Sequence, residues 1–134
     1  MNNGEKGQAL PIVLLLITFG VLVITPFLGH VDTALIGSRL YGEAINQQYS
    51  ADAGVEHAIW SLTYGGLAGN LTAPGDNTTY QLGEAINGIK PDIFVIRTDN
   101  VTFEITSVAS NNTIQAVVAI TGENVTVRRW QITP

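Results

Sequence analysis

The feature that most constrains this chain is an apolar run near its start, ALPIVLLLITFGVLVITPFL, residues 9–28. No charged side chain occurs between Gly7 and Asp32, counting His30 as neutral. About twenty such residues, rising 1.5 Å each as a helix, match the roughly 30 Å hydrocarbon core of a bilayer. A cleavable secretory signal has a shorter apolar core followed by a small-x-small site. The run here is longer, and GHVDTALIG after it offers no such site. The segment is therefore expected to stay on the protein and to span a membrane. Lys6 on its amino-terminal side favours that end in the cytoplasm and the bulk of the chain outside. Pro11 falls in the first turn, where its missing N–H is harmless. Gly20 and Pro26 lie inside the run and are expected to weaken the helix.

Helical periodicity continues past the membrane length. Val31, Leu35, Ser38, Tyr41, Ile45, Tyr49, Val55, Ile59 and Leu62 recur at threes and fours, with one wider gap bridged by Asp52. Arg39, Glu43, Gln47 and Glu56 lie largely off this stripe, the pattern of an amphipathic helix. Tyr64-Gly65-Gly66 ends it. From about Tyr80 the period becomes two. Val101, Phe103 and Ile105 alternate with Thr102, Glu104 and Thr106; Ile114, Ala116, Val118 and Ile120 follow a turn at 110–112. Ile93–Arg97 forms a third segment, before a turn at Asp99-Asn100. In the last segment Val125 and Val127 are out of phase with Trp130 and Ile132, which predicts a bulge near Arg128-Arg129. Two cations there would blunt an edge strand. Residues 67–83 read as a loop, with a short strand at 79–82. The fold class is α+β: a long N-terminal transmembrane-plus-amphipathic helix, then an antiparallel meander of about four strands with the helix end across one face. The divisions are a leader over 1–7, a transmembrane and assembly helix over 8–29, an amphipathic stem over 30–64, and an extracytoplasmic β domain over 65–134.

Composition narrows the chemistry. The net charge is −5 with six basic residues, which argues against nucleic acid, since that needs clustered Lys and Arg. Cysteine is absent, removing disulfides, thiolate metal sites and cysteine nucleophiles together. Asp52, Glu56 and His57 invite a metal or acid–base reading, yet two carboxylates do not specify a metal and His57 is turned about 100° from Glu56. The plainer reading is a polar patch, solvated or facing another subunit, with Ala51, Ala53, Gly54 and Ala58 small enough for close helix approach. Neither His30 nor His57 lies in the segment expected to form the β domain, so ingredients for a catalytic triad are poor. No cofactor and no catalytic residue is implied. Five Asn-x-Thr sequons, at Asn70, Asn77, Asn100, Asn111 and Asn124, would permit N-glycosylation on an exported surface; Thr-rich strands and Asn-rich turns also create this pattern unaided.

The order of parts, a short leader ending in Lys6-Gly7, an apolar helix, an amphipathic helix and an antiparallel sheet, resembles a type IV pilin or pseudopilin precursor. The junction Lys6-Gly7-Gln8 is similar to the prepilin peptidase site, with cleavage after Gly7 and N-methylation of Gln8 implied. Gly20 and Pro26 resemble the helix-weakening positions of pilins. Tyr49-Ser-Ala-Asp-Ala-Gly-Val-Glu-His-Ala58 resembles the Ala-x-Glu/Asp-Ala-Gly-x-Glu-x-Ala element of minor pilins with a PilX-type N-terminal region. Residues 4 to about 62 carry the resemblance. Major pilins have Glu at the fifth position after cleavage, where this chain has Ile12. A membrane carboxylate costs about 2.5–3.5 kcal/mol on insertion scales unless it is paired; the resemblance pairs it with a neighbouring subunit's terminal amine. Ile12 cannot make that pairing, which favours a tip or priming subunit over a homopolymer. The implied partners are other pilin subunits through the N-terminal helix, the peptidase and the assembly platform, with lipid before assembly. A bitopic membrane-anchored β binding module and an archaeal N-glycosylated pilin are the alternatives; Lys6-Gly7-Gln8 also resembles archaeal class III signal peptides.

Overall fold

The computed structural model describes residues 9–133. Its elements are α1 (Ala9–Thr63), α2 (Leu67–Asn70), β1 (Asn77–Gln81), β2 (Asp92–Arg97), β3 (Thr102–Ala109), β4 (Asn112–Thr121) and β5 (Asn124–Thr133). The fold is α+β, one long apolar-leading helix followed by a single antiparallel sheet in the order β1-β2-β3-β4-β5. The chain divides into two compact units, one ending at Tyr41 and the other beginning at Gly42.

In the first unit, α1 is apolar on every side from Leu10 to Leu28, and among the described residues it is the one helix long and apolar enough to cross a membrane. Its hydroxyls are satisfied within the helix. Thr18, Thr25 and Thr33 each donate to the carbonyl four residues back, on Leu14, Val21 and Gly29, at 2.7, 2.7 and 2.9 Å. This back-bonding hides a polar group that hydrocarbon could not solvate. Helix continues through Gly20 and Pro26. The expected weakening is thus not an interruption; at Pro26 it is the N–H that the Leu22 carbonyl would otherwise accept.

In the second unit, Ala51, Val55, Ala58 and Leu62 on α1, spaced four, three and four, are 0–3% exposed. They form one core with Ile93 and Val95 of β2, Phe103, Ile105 and Ala109 of β3, Ile114, Ala116 and Val118 of β4, and Leu71. Burial alternates along β3 and β4 with the expected phase from Phe103 onward; the expected pair before it is reversed, Val101 being 37% exposed and Thr102 5%, because the Asp99 turn holds both of their N–H groups. The helical stripe is placed differently from expectation. Val55 and Leu62 point inward, but Tyr41 and Tyr49 are 71% and 61% exposed, and the buried face is rotated toward Ser50, Ala51, Gly54 and Ala58. Small size explains it. A Cβ on Gly54 would collide with Ser107 Oγ, so only glycine lets the helix backbone come this close. Polar contacts secure the same face: Ser50 Oγ donates to the Ile86 carbonyl at 2.6 Å, and Asn112 Nδ2 donates to Ala44 O and Gln47 Oε1 at 3.3 and 3.2 Å.

The sheet has five strands where about four are expected. The added edge is β1, residues 77–81 in place of 79–82, and the predicted loop also holds the single turn α2. Two-residue connections join β3 to β4 and β4 to β5; Ser110 (φ 57°) and Gly122 (φ 63°) occupy the left-handed region there. The bulge lies where the phase slip predicts. Pairing passes from Val117↔Arg129 to Val118↔Val127, leaving Arg128 unpaired. This extra residue returns Trp130 and Ile132, opposite Ala116 and Ile114, to the face that carries Val125 and Val127. Arg129 Nη2 lies 3.5 Å from Glu104 Oε1, an exposed pair that contributes little.

Candidate functional site

The surface that most demands explanation is on α1 in the first unit. Fourteen large apolar side chains from Leu10 to Leu28 are each 51–78% exposed. Burying one such side chain is worth about 1.5–3 kcal/mol. Leaving all of them against water would forgo more than the roughly 5–15 kcal/mol by which a whole domain is stable. This face requires lipid or other protein. Ile12, 58% exposed, belongs to it, and a Cβ on Gly20 would meet nothing within 4 Å. The processing residues Lys6, Gly7 and Gln8 lie outside the described residues.

The predicted packing set on the stem separates into two groups. Ala51, Gly54 and Ala58 are buried against the chain's own sheet, so their small size serves an internal contact and they are not free for another subunit. Asp52 and Ala53 are half-buried and Glu56 is exposed; these three remain for an external partner. Alternating small residues read from sequence do not reveal which neighbour they admit.

His57 also corrects the expectation that neither histidine reaches the β domain. Its Nδ1 lies 3.1 Å from the Tyr80 hydroxyl on β1 and 3.4 Å from Ser61 Oγ. Burial pushes the Tyr80 hydroxyl above its ordinary value, with Ser61 opposing by hydrogen bonding. The spacing of His57 and Ser61, four apart on the last turns of a helix, was the available signal. What it lacked was the partner, because β1 has no apolar alternation to announce it.

At the β2–β3 end, Arg97 organises the turns. Its guanidinium donates to the carbonyls of Leu71, Asp99 and Asn100 and lies 5.7 Å from the centre of the Phe103 ring. Asp99 Oδ1 accepts the N–H groups of Val101 and Thr102 at 2.9 and 2.8 Å, and the Val101 N–H above all lowers its pKa. This cation is satisfied by backbone, a structural role. Asn70, Asn77, Asn100, Asn111 and Asn124 are all exposed.

Comparison of the chain with family models, with curated proteins and with solved structures finds no match. Function therefore rests on the residues themselves.

Proposed function

We propose that this chain is a non-enzymatic structural subunit, a minor pilin or pseudopilin. It is held in the cytoplasmic membrane with its amino terminus inside and its sheet domain outside. Prepilin peptidase trims it after Gly7, and the apolar part of α1 then leaves lipid to pack against the helices of other subunits at a filament tip or initiation complex. The observation that carries this reading is that one helix, α1, supplies both a wholly exposed apolar segment and a segment that forms the core of an antiparallel sheet unit. Lipid and neighbouring helices are interchangeable covers for the first segment, because both are apolar, and transfer between them needs no refolding of the second. Ile12 brings no charge into that transfer, so this subunit has no carboxylate to pair. Asp52 and Glu56, on the outward side of the stem, are left to meet a neighbour.

The exposure of all five sequon asparagines favours one second reading, an archaeal N-glycosylated pilin, which shares the assembly mechanism and adds glycans on the sheet unit.

The test is intact mass and N-terminal sequence of the protein recovered from its native membranes. A chain beginning at N-methylated Gln8 is expected, with hexose-containing mass increments only under the second reading. Gly7→Ala should leave the full-length precursor in the membrane and out of any filament. A mature chain still starting at Met1, or normal filament incorporation of the uncleaved form, would return α1 to a simple anchor for a bitopic module.

A further inference from the structure

The last turns of α1 carry His57, Trp60 and Ser61, and Tyr64 follows just past its end, its N–H donating to the Trp60 carbonyl at 2.8 Å, so that spacings of three and four keep the four on one face. The His57 ring lies 5.6 Å from that of Tyr80 and 6.2 Å from that of Trp60, centre to centre. Trp60 and Tyr64 are nevertheless 57% and 63% exposed. The residues that follow them in the chain, Ser61 and Gly65, line a cleft of about 260 Å³ together with Leu67, Asn70, Thr78 and Tyr80. Thr78 and Tyr80 reach it from β1, on the side of the strand that pairs with buried Val95 and Ile93.

Four properties of this place restrict its ligand. The volume falls below the roughly 300–1,000 Å³ of pockets for drug-sized molecules, so the ligand is about one ring in size. No lining side chain carries a charge, and an ionic ligand would be left unpaired. Three hydroxyls and one amide, on Ser61, Thr78, Tyr80 and Asn70, can both donate and accept, which suits a ligand with several hydroxyl groups and penalises a purely apolar one. The faces of Trp60 and Tyr64 are electron-rich and apolar, which suits a flat patch of C–H groups. A neutral pyranose meets all four conditions at once. We infer that the cleft binds a single neutral saccharide ring, stacked on Tyr64 and hydrogen-bonded by Ser61, Asn70, Thr78 and Tyr80. The inference does not depend on the assembly reading. The sugar has two sources: a glycan presented from outside, or a glycan carried by this chain on Asn70, whose sequon Asn70-Leu71-Thr72 begins in the cleft lining.

The full chain is made in a host without N-glycosylation and held in a sugar-free zwitterionic detergent. Trp130→Phe leaves Trp60 as the reporter of tryptophan emission. Glucose, galactose, N-acetylglucosamine and N-acetylgalactosamine are titrated separately into the tens of millimolar. At least one should shift Trp60 emission saturably with Kd of about 1–10 mM, a weak single-ring affinity. Tyr64→Ala and Thr78→Val should each weaken it at least tenfold while leaving the thermal transition in place; Tyr64 is exposed, so the fold does not rest on it. The sources separate in the native host. Free sugar that binds Thr72→Ala but not the unsubstituted chain from the native host identifies the Asn70 glycan as occupant, and equal binding to both identifies an outside glycan. A flat response to all four sugars in the unglycosylated chain would overturn the inference. So would a response that Tyr64→Ala and Thr78→Val leave unchanged, or a protein partner crosslinked at Trp60 with no sugar response.

Discussion

Helix α1 contains two stretches that solve opposite problems with the same backbone. From Leu10 to Leu28 its side chains are mostly large and apolar and directed all round, and the large apolar ones are at least 51% exposed. From Ala51 to Leu62 the inward positions are mostly small and at most 3% exposed. Both stretches satisfy their backbone hydrogen bonds internally, as any helix does. The difference lies in what covers the side chains. The first has no such cover among the described residues of its own unit; the second carries its cover in the same unit, in β2, β3 and β4. A helix can therefore be stable in two environments when its side-chain size changes along its length.

The largest expected effect breaks the second stretch. Leu62→Ala removes a side chain 3% exposed in the core and should destabilise the sheet unit by about 2–5 kcal/mol. Leu22→Ala, on a residue 70% exposed, should leave the same transition unmoved. Thermal unfolding of the full chain in detergent, followed by near-ultraviolet circular dichroism, reads both; equal losses would mean that the two stretches share one core. Next in size is Leu22→Arg, which should cost about 2.5–3.5 kcal/mol of membrane insertion while the sheet unit keeps its transition. Carbonate extraction from membranes measures it: the unsubstituted chain should stay in the pellet and the variant should be released more readily, and release of the unsubstituted chain would argue against lipid as the cover.

A smaller effect sharpens the contrast at glycine. A Cβ at Gly54 would meet Ser107 Oγ well inside contact distance, and Ser107 Cβ and Ile93 Cγ1 at 3.2 Å. Gly54→Ala should cost about 1–3 kcal/mol by overpacking. Among the described residues Ser107 Oγ is buried without a hydrogen-bond partner, so Ser107→Ala alone should be neutral or mildly stabilising. Combined with Gly54→Ala it should recover at least half the loss, as a double-mutant cycle would record. Gly20→Ala has nothing within 4 Å of its new Cβ and should only gain helix propensity, up to about 1 kcal/mol. Additive energies at Gly54 and Ser107 would show that their approach is not what selects glycine.

These positions also mark where the sequence was legible. A long uncharged apolar run and strict alternation at Phe103-Ile105 and Ile114-Ala116-Val118 are local patterns, and they set the fold class. The bulge at Arg128 was readable because a phase slip within ten residues has few other remedies. The inward face of the stem was not, because periodicity weights large apolar residues. Here closeness of approach mattered more, putting Ser50, Ala51 and Gly54 inside and Tyr49 outside. Strand β1, Asn-Thr-Thr-Tyr-Gln, pairs through its backbone at an edge and has little apolar pattern to detect. The cleft was invisible for the same reason: Ser61, Gly65 and Asn70 line it with Thr78 and Tyr80 across a contact set by tertiary structure.

Acid should separate the two stretches without any mutation in either. Between Gly7 and Asp32 the apolar segment has no titratable side chain except His30, whereas the sheet unit rests on turns held by carboxylates. Asp99 accepts from Val101 and Thr102, and Asp76 Oδ2 accepts the Ala73 N–H at 2.8 Å. Backbone donation, from Val101 and from Ala73 foremost, holds both carboxyls below their ordinary value of 3.8. A carboxyl whose pKa is depressed by folding adds stability above its unfolded pKa and loses it as pH falls through the folded one. The two turns are joined, since the Gly75 N–H donates to Arg97 O and the Arg97 N–H to Asp76 O, at 2.7 and 2.9 Å. The melting temperature of the sheet unit should thus hold between about pH 5 and 7 and fall below about pH 4, while the far-ultraviolet signal of the apolar helix in detergent persists. Asp76→Asn and Asp99→Asn together should lower the neutral melting temperature slightly and flatten the acid slope. A slope unchanged in the double variant would show that these two turns are not where acid acts.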